Sequence, residues 1–242
     1  MQRLRSALLL LVVLSCAAPA LGQGVKGIKT ENLPEFDLRR FHFGFLLGYN
    51  TSDFFMEQKS SSPFADSVMV IDHVRQPGFN LGIVASLNMT KNLSLRFLPT
   101  LSFQDRILEY HFRTADGTPL FFKKPVESTY LEFPLLLKMR SDRINNFAVY
   151  LIGGGKFGID MASQKDVNNE IDEDIVVKLD KYDYGFEVGG GCDMFLPYFK
   201  FGVELKFGVG LPNLLVDDDT RFSDPLRSLR NKTWVVTLTF EG

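Results

Sequence analysis

The sequence predicts an all-β protein: an eight-stranded antiparallel transmembrane β-barrel of the outer-membrane type, following a cleaved signal peptide. Three observations lead to this prediction. Apolar and polar residues alternate with a period of two in eight separate segments, as expected of strands with one apolar face. The connections between these segments are alternately short and long, a pattern typical of outer-membrane barrels. The N-terminus also has the composition of a secretory signal.

The N-terminus has the three parts of a signal peptide. Arg3 and Arg5 supply positive charge, and an apolar run follows from Ala7 to Leu14. Small residues at Ala20 and Gly22 predict cleavage after Gly22. The apolar run is too short to span a membrane as a helix. Loss of the two arginines takes the formal net charge from −2 to about −4, which gives no support for a nucleic-acid partner.

Cys16 leaves a second interpretation of the N-terminus open. The residues from Val13 to Cys16 loosely resemble a lipoprotein cleavage box, in which the cysteine would be lipidated instead of removed. If Cys16 leaves with the signal, Cys192 is the one cysteine of the mature chain. We therefore expect no intramolecular disulfide.

Eight segments place large apolar residues on one face and small or polar residues on the other. In the first, Phe41, Phe43 and Phe45 alternate with His42 and Gly44. Successive side chains of a strand point to opposite faces, so one face meets an apolar medium. The eight predicted strands are Phe41–Asn50, Phe79–Asn88, Leu93–Phe103, Thr129–Met139, Phe147–Asp160, Tyr184–Met194, Phe199–Leu211 and Thr233–Phe240.

Residues that are unusual in a regular strand occur in the third and the fifth of these strands, among others. Pro99 interrupts the third strand and predicts a bend or bulge, because proline cannot donate a ladder hydrogen bond. Gly153, Gly154 and Gly155 fall within the fifth strand. They weaken the apolar pattern there and would allow sharp curvature.

The predicted connections set the orientation in the membrane. Short links join strands two to three, four to five and six to seven, whereas longer polar segments such as 51–78 and 161–183 join the others. Outer-membrane barrels have short periplasmic turns and long extracellular loops, so we expect both chain ends in the periplasm. The predicted division is a signal peptide at 1–22, a periplasmic segment at 23–40 and the barrel at 41–242.

A soluble barrel or sandwich of the lipocalin type would show the same alternation, with its apolar face turned inward. The sizes of the side chains argue against that fold. The polar face is rich in Gly, Ser and Asn, which suits the narrow lumen of an eight-stranded barrel. The apolar face carries bulky Phe and Leu, so we expect contact with outer-membrane lipid and a location in the outer membrane.

Charged residues of both signs fall on the predicted inward faces, and we expect a neutral network that fills the lumen. These residues are Arg96, Glu132, Lys138, Lys156, Asp160, Glu187, Asp193, Lys200, Glu204 and Lys206. Charges enclosed in a narrow barrel must pair, because otherwise their desolvation cost is not recovered. The alternative is a selective pore or a proton path, although barrels of this size are normally filled by side chains.

We predict no catalytic residue, cofactor or metal site, and no small-molecule substrate. His42, His73 and His111 lie in no recognisable motif, and the motifs of serine hydrolases, P-loops and zinc proteases do not occur. A membrane protease with paired Asp and His is an alternative that no specific pattern supports. The acidic segment from Asp166 to Lys181 lacks the glycine and ligand spacing of a calcium loop, so we interpret it as a solvated loop.

Four stretches of the sequence carry a family resemblance. They are Asn32–Asp37 with Phe41–Phe45, Glu127–Lys138, Tyr150–Gly154 and Leu238–Gly242. In these stretches the chain resembles PorT (SprT in gliding species), a Bacteroidetes family of outer-membrane barrels tied to the type IX secretion system. The similarity spans nearly the whole mature chain and is most specific in the second stretch.

The resemblance implies a non-enzymatic part in exporting proteins, including virulence factors or gliding adhesins, together with other secretion-system proteins. Because an eight-stranded barrel is too narrow for folded cargo, we expect a role in assembly or maturation of the machinery. The segment from Gln23 to Arg40 would contact the partners. The alternative is a generic small OmpX-like barrel with a structural or adhesive role, whose long loops would be the working surface.

Overall fold

A computed structural model describes residues 31–59, 68–113, 118–163, 177–216, 220 and 222–242. The predicted signal peptide lies outside the described residues, as do residues 23–30 and the greater part of the acidic segment from Asp166 to Lys181. The chain divides into Met1–Glu31 and Asn32–Gly242, and the second unit contains all the strands described below. Within the described ranges, no helix has the length and apolar character needed to cross a membrane.

The described residues form nine antiparallel strands arranged in a ring. The strands are β1 (Phe41–Gln58), β2 (Val68–Asn88), β3 (Leu93–Phe97), β4 (Thr100–Arg113), β5 (Pro119–Arg140), β6 (Phe147–Asp160), β7 (Tyr182–Phe195), β8 (Lys200–Gly210) and β9 (Leu226–Glu241). A short 3-10 turn, Phe36–Leu38, precedes β1. The first strand pairs with both β2 and β9, which closes the ring. The predicted antiparallel barrel is confirmed.

The third predicted strand, Leu93–Phe103, is two strands. Both β3 and β4 lie between β2 and β5, so the nine strands occupy eight positions around the ring. The break falls at Leu98 and Pro99, where the Leu98 N–H donates to the Pro134 carbonyl at 3.1 Å. Pro99 has no N–H to donate, and the regular ladder therefore stops on either side of it.

Several strands extend well beyond their predicted ends. The segment 51–78 was predicted as a loop, but β1 continues to Gln58 and β2 begins at Val68. Similarly, β4 and β5 remain paired from Thr100 opposite Glu132 as far as Arg113 opposite Pro119. The loop prediction was wrong in these regions because the apolar residues move from the outward face of the strands to the inward face.

The change of face is clear in β4. Ser102, Gln104 and Arg106 point inward and are buried, and the same inward face continues through the apolar Leu108 and Tyr110. A strand within lipid is apolar outside, whereas a strand in water is apolar inside. The reversal marks the level at which the strands leave the apolar band.

Beyond this level the barrel is filled by an apolar core. It comprises Phe54, Ile71, Leu108, Tyr110, Phe112, Val126, Val177, Leu179, Leu214, Phe222, Leu226 and Leu229. The Tyr110 hydroxyl donates to the Phe222 carbonyl at 2.9 Å, and their rings meet edge to face with centroids 5.1 Å apart. Residues from two connections, Val177–Leu179 and Leu214, thus fold inward and close this end of the lumen.

The rest of the barrel, on the side of the short turns, is its lower part and has a bulky apolar exterior. Phe43, Phe45, Leu135, Phe186 and Leu205 are examples of its exposed outward side chains. An exposed apolar surface this extensive is rare on a soluble monomer. It is the surface that a barrel presents to lipid.

Candidate functional site: a charged lumen closed at both ends

The charged lumen is centred on Arg96, which is fully buried. Its guanidinium donates to Glu204 and, at 3.1 Å, to Glu241. Lys200 donates to the second oxygen of Glu241 at 2.9 Å, and the Tyr150 hydroxyl donates to Glu204 at 2.8 Å. One arginine from β3 therefore joins carboxylates on β8 and β9 across the lumen.

The structure places all ten predicted lumen residues on buried inward positions. Beyond the Arg96 cluster, three further ion pairs are Lys138 with Asp193 at 2.8 Å, Lys156 with Glu132 at 3.2 Å and Lys206 with Glu187 at 3.6 Å. Asp160 instead accepts backbone N–H bonds from Thr129 and Ala162. Opposite-charge neighbours thus offset the desolvation of the enclosed charges.

Part of the polar lumen lies outside the predicted strands and was missed. Arg106 donates to Gln104 at 2.5 Å and to Asn231 at 3.0 Å, and Asn231 donates to Asp183 at 3.1 Å. Glu241 was also missed, since the last strand was predicted to end at Phe240. The period-two alternation continues through all these positions, and following it past the change of face would have found them.

The three histidines lie in separate surroundings. His73 is 3.3 Å from Asp53, and His111 is 3.9 Å from Asp72. His42 faces the lower end of the lumen and is buried. Within the described ranges, no group of three or more His, Cys, Asp or Glu side chains could hold a metal ion.

The lower end of the lumen is closed by Phe36. Its ring is 6% exposed and stacks on His42 with centroids 3.8 Å apart. It also meets the Phe195 ring edge to face at 5.9 Å, and the Lys200 ammonium lies 4.6 Å from its centroid. We call Phe36, His42, Phe195 and the adjoining Leu33 and Ala148 the Phe36 seal.

Polar contacts hold the segment that carries Phe36 against the short turns. The Asn32 side chain donates to the Phe195 carbonyl at 2.9 Å, and its backbone N–H donates to Asn146 at 2.9 Å. Arg140 binds Asp37 at 2.8 Å. These contacts involve residues at two of the short turns at this end, so the seal depends on residues far apart in the chain.

Residues 23–216 match the sequence model of a family described as outer membrane protein beta-barrel domain. This chain belongs to that family. It is therefore an outer-membrane barrel whose apolar exterior contacts membrane lipid. The short turns of such barrels face the periplasm, so we expect the Phe36 seal at the periplasmic end and the apolar core at the outer end.

Solved outer-membrane proteins have similar folds at low sequence identity. OprG of Pseudomonas aeruginosa is 12% identical with a TM-score of 0.48, over 84% of this chain and 95% of that one. Neisserial surface protein A is 11% identical with a TM-score of 0.41, over 83% and 96%. Ail of Yersinia pestis is 11% identical with a TM-score of 0.37, over 84% and 100%. No curated protein sequence matches the chain.

Replacing Phe36 by alanine should release the periplasmic segment while the barrel stays folded. Loss of a buried phenylalanine costs about 3 kcal/mol, which corresponds to an opening equilibrium constant about 100-fold larger for this segment. The readout is hydrogen exchange at the Phe36 and Leu38 amides, which bond to Leu33 and Glu35. Leu38→Ala is the matched control, because Leu38 is in the same turn but 81% exposed. Equal exchange in both variants would show that Phe36 does not hold the segment.

Proposed function

We propose that this barrel is a non-enzymatic outer-membrane protein required for secretion through the type IX secretion system, acting in assembly or maturation of the machinery. The observation that supports this role best is the closed lumen. Paired charges fill its middle, the apolar core fills its outer end and the Phe36 seal covers its periplasmic end. A barrel filled in this way does not conduct protein cargo, so its contribution to export comes from its surfaces.

The periplasmic end carries the surface that would contact other secretion-system proteins. Leu38 is 81% exposed and Ile144 is 73% exposed. Leu38 ends the turn that holds Phe36, and Ile144 lies in the turn between β5 and β6. Exposed apolar side chains on ordered backbone are a common feature of binding surfaces. The seal would therefore fix the position of a docking residue as well as close the lumen.

A complementation experiment tests this proposal. In a deletion strain, we expect the double variant Leu38→Ala with Ile144→Ala to reach the outer membrane at normal levels but leave cargo in the periplasm. The expected loss of secretion is about five- to thirtyfold, because two apolar contacts at a binding site contribute about 1–2 kcal/mol together. The matched control is Leu120→Ala with Phe121→Ala, which removes exposed apolar side chains at the outer end.

Normal export in the deletion strain itself would refute the secretion role. Normal export in the deletion strain carrying the Leu38 and Ile144 double variant would instead show that the contact surface lies elsewhere on the protein.

One observation favours the alternative of a small barrel with a structural or adhesive role. The strands β1, β2, β4 and β5 continue past the apolar band and form an ordered outer tier with its own core. Phe121 is nearly half exposed on this tier. Exchange of the outer connections for short turns distinguishes the two functions: an adhesin should lose surface binding, whereas an assembly factor should retain cargo export.

A further inference from the structure

Two adjoining cavities, both lined by Gly242, lie at the seam between β1 and β9, and we call them together the groove. Its upper part is a cavity of about 380 Å³ lined by Phe43, Phe45, Phe199 and Phe240. Gly242 lies at the boundary and lines both this cavity and the next one. Phe43 and Phe45 point outward and are more than half exposed, so this part of the groove belongs to the lipid-facing surface.

The lower part of the groove combines apolar walls with charged side chains of both signs, Arg39 and Glu35. It is a cavity of about 290 Å³ whose lining includes Leu33, Pro34, Tyr198 and Arg39. Tyr198 is 89% exposed, and an amphipathic aromatic ring is typical of the membrane interface. The groove therefore passes from a mainly apolar upper cavity, whose lining includes Glu241, to an amphipathic lower cavity.

Two hydrogen bonds fix the backbone of Arg39. Its carbonyl accepts hydrogen bonds from His42 and from the Asn88 side chain, both at 3.1 Å. Its guanidinium is largely exposed and lies 3.9 Å from Glu35, a distance too long for a direct hydrogen bond. The next residue, Arg40, is also exposed. The Arg39 guanidinium therefore lines the lower cavity, and a guanidinium matches phosphate geometry.

From these observations we infer that the groove binds a phospholipid of the periplasmic leaflet. An acyl chain lies on Phe43, Phe45 and Phe240, and the headgroup phosphate lies against Arg39 and Arg40. The groove is continuous with a surface that already contacts lipid. Arg39 and the exposed Arg40 together exceed the charge of Glu35 by one positive charge, which favours an anionic headgroup. This inference does not depend on the secretion role, because it concerns only the lipid that the barrel retains.

The test measures lipid bound to the purified full-length barrel in detergent. Wild-type protein is titrated with dioleoylphosphatidylglycerol, and native mass spectrometry counts lipids per barrel. We expect one tightly bound lipid, and about 25-fold weaker binding by Arg39→Ala with Arg40→Ala, since each arginine near an anionic lipid contributes about fivefold. The matched control is Arg227→Ala with Arg230→Ala on β9, exposed arginines at the opposite end. Heat-modified gel mobility verifies that all variants are folded.

A second measurement locates the acyl chain. A photoreactive phosphatidylglycerol should crosslink to residues around Phe43 and Phe45. Dioleoylglycerol, which lacks phosphate, should bind the wild-type barrel about as weakly as phosphatidylglycerol binds the Arg39 and Arg40 double variant. Equal binding by wild type and this variant would overturn the inference, as would crosslinks spread evenly over the apolar exterior. If the Arg39 and Arg40 double variant binds lipid normally but no longer crosslinks to a periplasmic protein in cells, the inference is also overturned. The groove would then be a protein-docking site.

Discussion

Replacing Arg96 by methionine should lower the unfolding free energy of the barrel by about 3–5 kcal/mol. Arg96 is fully buried and binds two carboxylates, Glu204 and Glu241. Methionine has a similar length but no charge, so the lumen would keep its packing and lose its central cation. Glu241 would retain Lys200, whereas Glu204 would retain only the hydroxyl of Tyr150 as a hydrogen-bond donor among the contacts described above.

Urea unfolding of the refolded protein in lipid vesicles measures this effect. Arg230→Met is the matched control, because Arg230 is exposed on the outer part of β9, and such substitutions change stability by less than about 0.5 kcal/mol. Adding Glu204→Gln to Arg96→Met should recover part of the loss, since it removes the unpaired charge. A cost below about 1 kcal/mol for Arg96→Met would mean that the network does not stabilise the barrel, and the alternative of a hydrated pore would gain support.

Replacing Gly154 by alanine should cost about 3 kcal/mol or more, at or above the upper end of the range for overpacked sites. A Cβ atom at Gly154 would lie 2.2 Å from the Leu135 carbonyl oxygen and 2.9 Å from the Leu136 Cα. Both atoms belong to the backbone of β5, which pairs with β6 through these residues. A side chain could rotate away from such a contact, but this backbone can move only by breaking the pairing of the two strands.

The adjacent residue provides the matched control for Gly154. At Gly153 an added Cβ would meet its nearest atoms at 3.7 Å, an ordinary contact distance. Gly153→Ala should therefore fold like the wild type. The measurement is the fraction of protein that regains heat-modifiable gel mobility after refolding, followed by urea unfolding. If the two variants behave alike, close approach of β5 is not the reason for glycine at position 154.

Alternation of residue types was sufficient to predict the lower barrel. The predicted fifth strand, Phe147–Asp160, has the same bounds as β6, although three glycines weaken its apolar pattern. Pro99 was expected to disturb its strand, and the break between β3 and β4 occurs there. Within lipid the outward face must be apolar, and a strand has a period of two. The type of each residue therefore indicates its face without knowledge of its neighbours.

The same rule failed where the strands leave the lipid. Residues of β4 beyond Ile107 keep their alternation, but the apolar side chains now point inward. Because we expected every strand to be apolar on its outward face, we predicted a loop where the backbone is in fact ordered and paired. The outer tier and its core became evident only once the pairing of β4 with β5 was known.

The amino-acid sequence by itself determined the fold class, the lipid-facing side of the lower strands and the inward position of ten charged residues, because all three follow from local periodicity. The tertiary structure alone decided which charges pair. Arg96 and Glu241 are far apart in the chain, and ring closure brings them together. It also decided that Phe36 closes the lower end of the lumen, since His42 and Phe195 meet it only after the barrel has formed. Periodicity specifies the face of a residue, but its partner across the lumen depends on strand order and register.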